Sequence, residues 1–254
     1  MTVCKNPAAL MSLVEQADNI VALTGAGLST AAGIPDFRGP EGLYVTRRYD
    51  PDMTFSLRGF ERDPTYFYRF AADFIELLAR IRPTFAHRFL ARLEDAGKLS
   101  AVITQNIDML HQAAGSSKVI ELHGSFRSAT CRACGKQDTG LDVPWWQRAI
   151  AAHSGPPVVL CPSCGGVIKP DIVFYGEPVE NYGAAEAVVR GCDLLLVLGT
   201  SLTVTPAAYL PSAASAPVIA VSQGDVELAS AEHDHIVNAD LDEFCRTMAG
   251  VLKP

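Results

Sequence analysis

Residues 19–30, Asn19-Ile20-Val21-Ala22-Leu23-Thr24-Gly25-Ala26-Gly27-Leu28-Ser29-Thr30, decide the fold. An apolar run of strand length ends in a Gly-Ala-Gly turn, with two hydroxyls just beyond it. Glycines there let backbone approach a ligand closely, and N–H groups that open a helix face an anion. That predicts a phosphate cradle at the end of a parallel strand. The spacing is only G-x-G, so a tight strand-to-helix turn that binds nothing remains an equal reading.

The same grammar repeats outward. Residues 7–17 carry a helical apolar rhythm behind Pro7. Residues 39–49 lack a period and read as a loop. Residues 64–81 put Phe67, Phe70, Phe74, Leu77, Leu78 and Ile81 on one helical face. Pro83 opens a further helix that stops at Gly97. Strands are predicted at 99–104, 119–124, 172–174, 194–198 and 218–221, and helices near 180–190 and 241–252. Between residues 125 and 169 the periodicity collapses. Strands alternating with helices predict a doubly wound α/β parallel sheet, with 125–169 as an inserted module.

Composition narrows the partners. Of 254 residues, 48% are apolar and 19% charged, enough for a substantial core. A net charge of −7 argues against a nucleic-acid grip built on bulk charge. No signal-peptide pattern or membrane-length apolar run is present, which predicts a cytoplasmic protein. Four of the seven cysteines form Cys131-x-x-Cys134 and Cys161-x-x-Cys164. Four thiolates at about 2.3 Å close a tetrahedral zinc shell, a structural site with no position left for substrate. Redox dithiols are the competing reading. Cys4, Cys192 and Cys245 have no partners in the pattern and read as ordinary residues.

Three polar clusters fall at predicted strand ends. Gln105-Asn106-Ile107-Asp108 follows one strand, where α/β ligands bind, although the spacing alone favours an Asx turn and helix cap. His123-Gly124 ends another; His123 is either a satisfied structural imidazole or a proton acceptor matched to neutral pH. Gly199-Thr200-Ser201 ends the most apolar strand and repeats the small-residue tip of Gly25-Ala26-Gly27. No acidic residue stands at a strand end about twenty positions after the first turn, which counts against an ordinary dehydrogenase.

Taken together these blocks resemble one family, the sirtuins, NAD-dependent protein-lysine deacylases. The resemblance runs through Gly25-Ala26-Gly27-x-Ser29, Gly33-Ile34-Pro35-Asp36-Phe37-Arg38, Thr104-Gln105-Asn106-Ile107-Asp108 and His123-Gly124. It continues through the cysteine pairs, Lys169-Pro170-Asp171-Ile172-Val173-Phe174-Tyr175-Gly176-Glu177 and Gly199-Thr200-Ser201-Leu202. It implies one catalytic domain over 1–254. Its Rossmann-like part would comprise about 1–38, 82–124 and 170–254. The small part would join a helical lobe, about 39–81, to a zinc-ribbon module, about 125–169.

By the same resemblance, NAD is a consumed co-substrate and one zinc ion is structural. Gly25, Ala26, Gly27, Thr30, Asp36, Phe37 and Arg38 would line the cofactor. Gln105, Asn106, Ile107 and Asp108 would address its nicotinamide and ribose, and Gly199, Thr200, Ser201, Ser222, Asp240 and Leu241 its other half. His123 is the implied base, with Asn106 beside it. Val173, Phe174, Tyr175 and Gly176 would hold an acyl-lysine peptide by strand pairing. The implied reaction gives free lysine, nicotinamide and 2′-O-acyl-ADP-ribose. Ala32 and Ser222 depart from the family's usual serine and asparagine. Tyr68 matches a tyrosine of the acyl tunnel, while Ala71 stands where succinyl-preferring members carry arginine; this predicts acetyl or other neutral acyl groups. Mono-ADP-ribosyl transfer to protein and a non-enzymatic zinc-ribbon binding module are the alternatives.

Overall fold

A computed structural model describes residues 7–35, 48–152, 155–228 and 234–252. In chain order, α1 (Pro7–Gln16) leads into β1 (Ile20–Thr24), followed by a 3-10 helix over Ala26–Ala32. Next come α2 (Pro51–Phe55), α3 (Leu57–Arg62), α4 (Thr65–Leu78), α5 (Phe85–Asp95) and β2 (Leu99–Thr104). Then follow α6 (Leu110–Ala113), β3 (Val119–Glu121), β4 (Gly124–Cys131), β5 (Gln137–Thr139), α7 (Val143–Ala151) and β6 (Ile168–Ile172). The chain closes with α8 (Tyr182–Gly191), β7 (Leu194–Leu198), β8 (Val218–Val221), β9 (His235–Val237) and α9 (Leu241–Met248).

β1 and β7 are buried on both faces, which is why they read as unbroken apolar runs. Ile20, Ala22, Leu194, Leu196 and Leu198 pack towards α1, α5 and α9. Val21, Leu23, Leu195 and Val197 point the other way, towards Ala185 and Val189 of α8. The sheet is six-stranded, order β3-β2-β1-β7-β8-β9, and every pair is parallel. The order reverses between β1 and β7, so a crevice opens there at the carboxyl ends of the strands. The register keeps those ends flush: Thr24 pairs with Thr104 and with Leu198, and Leu198 with Val221. Residues 25, 105, 199 and 222 therefore emerge side by side.

A second sheet, β5-β4-β6, is antiparallel. Its apolar face shares one core with α3, α4 and α7, centred on Phe67, Phe126 and Trp146. Trp146 places its indole N–H 2.6 Å from the Phe126 carbonyl, so the polar edge of the ring is satisfied where its bulk is buried. The apolar stretch 172–174 is therefore not a strand of the main sheet. Ile172 ends β6 on the small sheet, and Val173 and Phe174 leave it. Short elements with little periodicity (α2, α3, α6, α7 and β9) also lie outside the sequence expectations, as does the 3-10 form of the turn after Gly25.

Beneath the tip of β1 sit two fully buried histidines, His87 and His111, with ring centroids 4.7 Å apart. His87 Nδ1 accepts from the Thr84 backbone N–H, which puts its proton on Nε2. His111 Nε2 lies 2.9 Å from Thr24 Oγ1, whose hydroxyl reaches towards the Ile103 carbonyl. Among the described residues, His87 Nε2 and His111 Nδ1 have no hydrogen-bond partner. Burial lowers both pKa values, His111 to about 4, and the second ring adds to the lowering at His87.

Both rings are thus neutral in the folded chain, whereas unfolded imidazole titrates near 6.5. Stability should be flat above about pH 6.5 and fall as pH drops towards about 4, by about 1.4 kcal/mol per pH unit for each histidine. Urea unfolding of the wild type and His111→Gln between pH 7 and 5 measures this. The variant should show the shallower slope; equal slopes would refute the assignment.

Candidate active site

The first strand tip is locked to its neighbour before any side chain contributes. Gly25 N–H donates to the Leu198 carbonyl at 3.0 Å and Gly27 N–H to the Gly199 carbonyl at 2.9 Å. A Cβ on Gly27 would stand 2.9 Å from Gly199 Cα. Gly199 itself has φ of 66°, and a Cβ there would meet Leu28 N at 2.5 Å. Both tips are glycine because two backbones touch there. Two of the N–H groups expected to face an anion are consumed in this contact.

The amides and carboxylate of 105–108 are knitted into the same tips. Asn106 Nδ2 donates to the Gly25 carbonyl at 3.0 Å and to Ser29 Oγ at 3.2 Å. Ser29 Oγ donates to Asp108 at 2.6 Å, and the other Asp108 oxygen accepts the Leu110 N–H at 2.9 Å. Burial raises the pKa of Asp108 and these hydrogen bonds oppose the shift. Gln105 Nε2 donates to Thr200 Oγ1 at 3.1 Å, joining the second strand tip to the fourth in sheet order.

His123 lies in the link between β3 and β4. Its Nδ1 is 2.9 Å from the Gln105 carbonyl; a carbonyl only accepts, so Nδ1 carries the proton and Nε2 keeps its lone pair. Burial lowers the His123 pKa, only partly offset by that hydrogen bond, which favours a neutral ring at neutral pH. Its own carbonyl accepts the Val173 N–H at 2.8 Å. Gly124 has φ of 65°, and a Cβ there would fall 1.9 Å from the Asp171 carbonyl oxygen. Any side chain at 124 would push β6, and with it Val173, away from His123.

These groups converge on one cavity of about 1190 Å³. Ala26, Gly27, Thr30, Gln105, Asn106, Ile107, Asp108 and His123 line it, as do Val173, Phe174, Tyr175 and Gly176. Gly199, Thr200, Ser201, Ser222, Asp240 and Leu241 complete the expected set. Gly25 stands behind the wall and contributes its carbonyl. Asp36, Phe37 and Arg38 lie outside the described residues. Tyr68 is a correction: it is fully buried in the core of the small sheet, and its hydroxyl donates to the Ile168 carbonyl at 2.6 Å. Ala71 is in the same core, so the pairing of positions 68 and 71 gives no information about the acyl group here. Sequence reasoning did not assign Ser29, Phe55, Phe70, Phe74 or Leu77 to the site. The helical period had marked Phe70, Phe74 and Leu77 as one face, but not what that face meets.

The four cysteines meet the requirement of a tetrahedral metal. The sulfurs of Cys131, Cys134, Cys161 and Cys164 all lie within 4.8 Å of one another, with Cys131–Cys164 at 3.5 Å and Cys134–Cys161 at 3.9 Å. Zinc bonds of about 2.3 Å imply sulfur separations of about 3.8 Å. Each pair sits on a tight knuckle, Gly135 N–H donating to the Cys131 carbonyl and Gly165 N–H to that of Cys161. The donor set fits zinc, and four thiolates leave no open position.

A parallel sheet whose strand order reverses beneath one cavity with amides and hydroxyls at the strand tips, next to a four-thiolate module, defines a dinucleotide-binding α/β class. The model described as the Sir2 family matches residues 25–206, and the chain belongs to that family, the sirtuins. The NAD-dependent protein deacetylase of Thermotoga maritima is 42% identical over 246 residues, covering 93% of this chain and 94% of that protein. NAD-dependent protein deacetylase 1 of Pyrobaculum aerophilum is 45% identical over 202 residues, 79% of this chain and 76% of its own length. A solved complex of Sir2 with p53 peptide and NAD+ superposes with a TM-score of 0.84 at 37% identity, covering 96% of this chain and 98% of that one. A Sir2 histidine-to-alanine variant holding deacetylated p53 peptide and 3′-O-acetyl-ADP-ribose also gives 0.84, at 38% identity, over 95% and 96% of the two chains.

Purified protein should contain one zinc per chain by elemental analysis. Stripping it with a strong chelator should expose the core around Trp146, read as a red shift of tryptophan emission that added zinc reverses. A metal-free protein with unchanged emission and full stability would refute the structural role.

Proposed function

We propose that this chain is an NAD-dependent protein-lysine deacylase that releases free lysine, nicotinamide and 2′-O-acyl-ADP-ribose. The observation that carries the reading is His123. Its tautomer is fixed by the Gln105 carbonyl, and it stands in the cavity wall between residues 105–108 and 173–176. The donors at the strand tips, Gln105, Asn106, Thr30, Thr200, Ser201 and Ser222, are neutral amides and hydroxyls, suited to ribose hydroxyls and a carboxamide, so the residues fit NAD. Bound NAD would supply an electrophilic ribose carbon and a neutral leaving group.

The chain's own groups have separable tasks in this reading. Asn106, its amide N–H groups held by Gly25 and Ser29, offers its carbonyl oxygen to a ribose hydroxyl or a water. Asp108, fixed by Ser29 and Leu110, orients the carboxamide together with Ile107. Thr30, Thr200, Ser201 and Ser222 would follow the remainder of the dinucleotide to Asp240 and Leu241. Asp36, Phe37 and Arg38 keep their implied role of lining the cofactor. His123 Nε2 accepts the ribose hydroxyl proton, general-base work worth about 10²–10⁴ in rate. An acyl-lysine protein or peptide would lie along Val173, Phe174, Tyr175 and Gly176, with the Val173 carbonyl and the Gly176 main chain towards it, since the N–H groups of 173–175 are bonded within the fold.

We read the two cores as the two parts of one catalytic domain, with the acyl-lysine chain entering between them. No helix among the described residues is long and apolar enough to cross a membrane. Cys192 and Cys245 are free thiols, which supports a reducing compartment, the cytoplasm. The net charge of −7 supports partners other than nucleic acid gripped by bulk charge.

The deciding assay is nicotinamide release from NAD with and without an acetyl-lysine peptide, with mass spectrometry of the peptide. Release that depends on the peptide, together with replacement of its acetyl group by hydrogen in the mass spectrum, is expected. ADP-ribose on the acceptor would instead establish transferase activity. His123→Ala should keep its zinc and fold while losing about 10²–10⁴ in turnover; unchanged deacetylation would sink the base assignment. The acyl preference rests on the residues that do line the cavity. Phe55, Phe70, Phe74 and Leu77 are apolar, and the described arginines there, Arg48 and Arg80, are paired with Asp73 and Glu76. An acetyl peptide should therefore outrun its succinyl counterpart, and the reverse order would overturn this preference.

A further inference from the structure

Residues 173–176 touch His123, the helices and the cavity together. Val173 N–H donates to the His123 carbonyl, Tyr175 N–H to the Phe55 carbonyl at 2.9 Å, and Leu57 N–H to the Tyr175 carbonyl at 3.0 Å. Side chains alternate along it. Phe174 is buried, whereas Val173 is half-buried and Tyr175 is 52% exposed, and both face the cavity. The stretch lies outside both sheets and is joined to the helical part by a single parallel bridge between Ser56 and Tyr175.

Beneath it lies a lysine that neither the metal module nor the dinucleotide site uses. The Lys169 side chain is 7% exposed, and its Nζ stands 2.8 Å from Glu177 Oε2. The same Nζ donates to the Ile172 carbonyl at 2.7 Å and the Pro170 carbonyl at 3.3 Å, and sits 4.2 Å over the Phe174 ring. Glu177 Oε2 also accepts the Phe174 N–H at 2.9 Å, and Glu177 N–H returns to the Phe174 carbonyl. One ammonium thereby ties the last residue of β6 to the far end of the loop, with the Phe174 ring trapped between. A buried ion pair is seldom the most stable filling for such a site, and its best-attested use is to fix one geometry.

We propose that the Lys169–Glu177 pair is a positioning device for the substrate-binding stretch 173–176. It sets how tightly an acyl-lysine chain is held beside His123, and takes no part in the chemistry. The inference rests on the deacylase reading above, since it assigns that stretch to the peptide.

The test uses the full-length zinc-loaded protein, with Lys169→Met and the double variant Lys169→Met/Glu177→Gln. The double variant leaves no unpaired buried charge, so it guards against simple loss of folding. Wild-type enzyme is assayed first: nicotinamide release that ignores the acetyl-lysine peptide would refute the deacylase reading itself, and this inference with it. Where the wild type responds, both variants should raise the peptide KM about tenfold while kcat at saturating peptide and the KM for NAD stay within about twofold. The double variant should match the wild type in melting temperature and zinc content while keeping the raised peptide KM. A peptide KM within about twofold of wild type in the double variant overturns the proposal. So does a fall in kcat, or a rise in the NAD KM, as large as the change in peptide KM. Failure of both variants to fold would make the pair a stability element and equally overturn it.

Discussion

The contact between Gly27 and Gly199 is the constraint on which the site depends. Two parallel strands that run in register deliver their chain ends to the same place, and ordinary residues would collide there. Removing both side chains lets the turn after β1 and the turn after β7 touch through backbone, N–H to carbonyl at 2.9 Å. Three polar side chains of the cavity are then hung from these tips: Asn106 on the Gly25 carbonyl, Gln105 on Thr200, and His123 on the Gln105 carbonyl. The imidazole is placed by a chain of three contacts, each between groups the backbone has already fixed.

Burying so many polar groups is tolerable only because each is satisfied by another of the set. Asp108 illustrates this. Its burial favours protonation, and two donors, a hydroxyl and a backbone N–H, hold it against that tendency. His123 is the converse case, since burial there favours the neutral form that a base requires and the carbonyl at Nδ1 decides which nitrogen is free. The same device, a titratable group whose state is set by its surroundings, appears away from the cavity in His87 and His111. There it serves only to brace Thr24 and Thr84 behind the tips.

The elements legible in the sequence are those whose environment is uniform. β1 and β7 are buried on both faces and α5 on one, so their apolar patterns are unbroken, and the flush strand ends follow once the strands are paired. Short pieces whose burial comes from neighbours far along the chain have no such signature, which is why α2, α3 and β9 escape it. Ile172-Val173-Phe174 shows the limit most clearly: three apolar residues are the same string whether they continue a sheet or cross between two cores. Tyr68 shows another. Matching its position to a family pattern identifies the helix but not the direction of the side chain, and α4 is buried on so wide an arc that 68 and 70 serve different neighbours. The cysteine spacing, by contrast, carries its geometry locally, because each knuckle closes within five residues.

The placement of the cavity follows from Gly124. β3 belongs to the parallel sheet and β4 to the antiparallel one, and only His123 and its neighbour Leu122 separate them. A residue in that link is held by both cores at once: by the Gln105 carbonyl on one side and the Val173 N–H on the other. The absence of a side chain at 124 is what lets β6 come close enough to make the second hold. An imidazole held this way keeps its distance to the strand tips only while the two cores keep their mutual position. Residues 173–176, bonded to His123 at one end and to Phe55 and Leu57 at the other, are the chain segment best placed to maintain it. The placement of the His123 ring and that of residues 173–176 therefore draw on the same few hydrogen bonds.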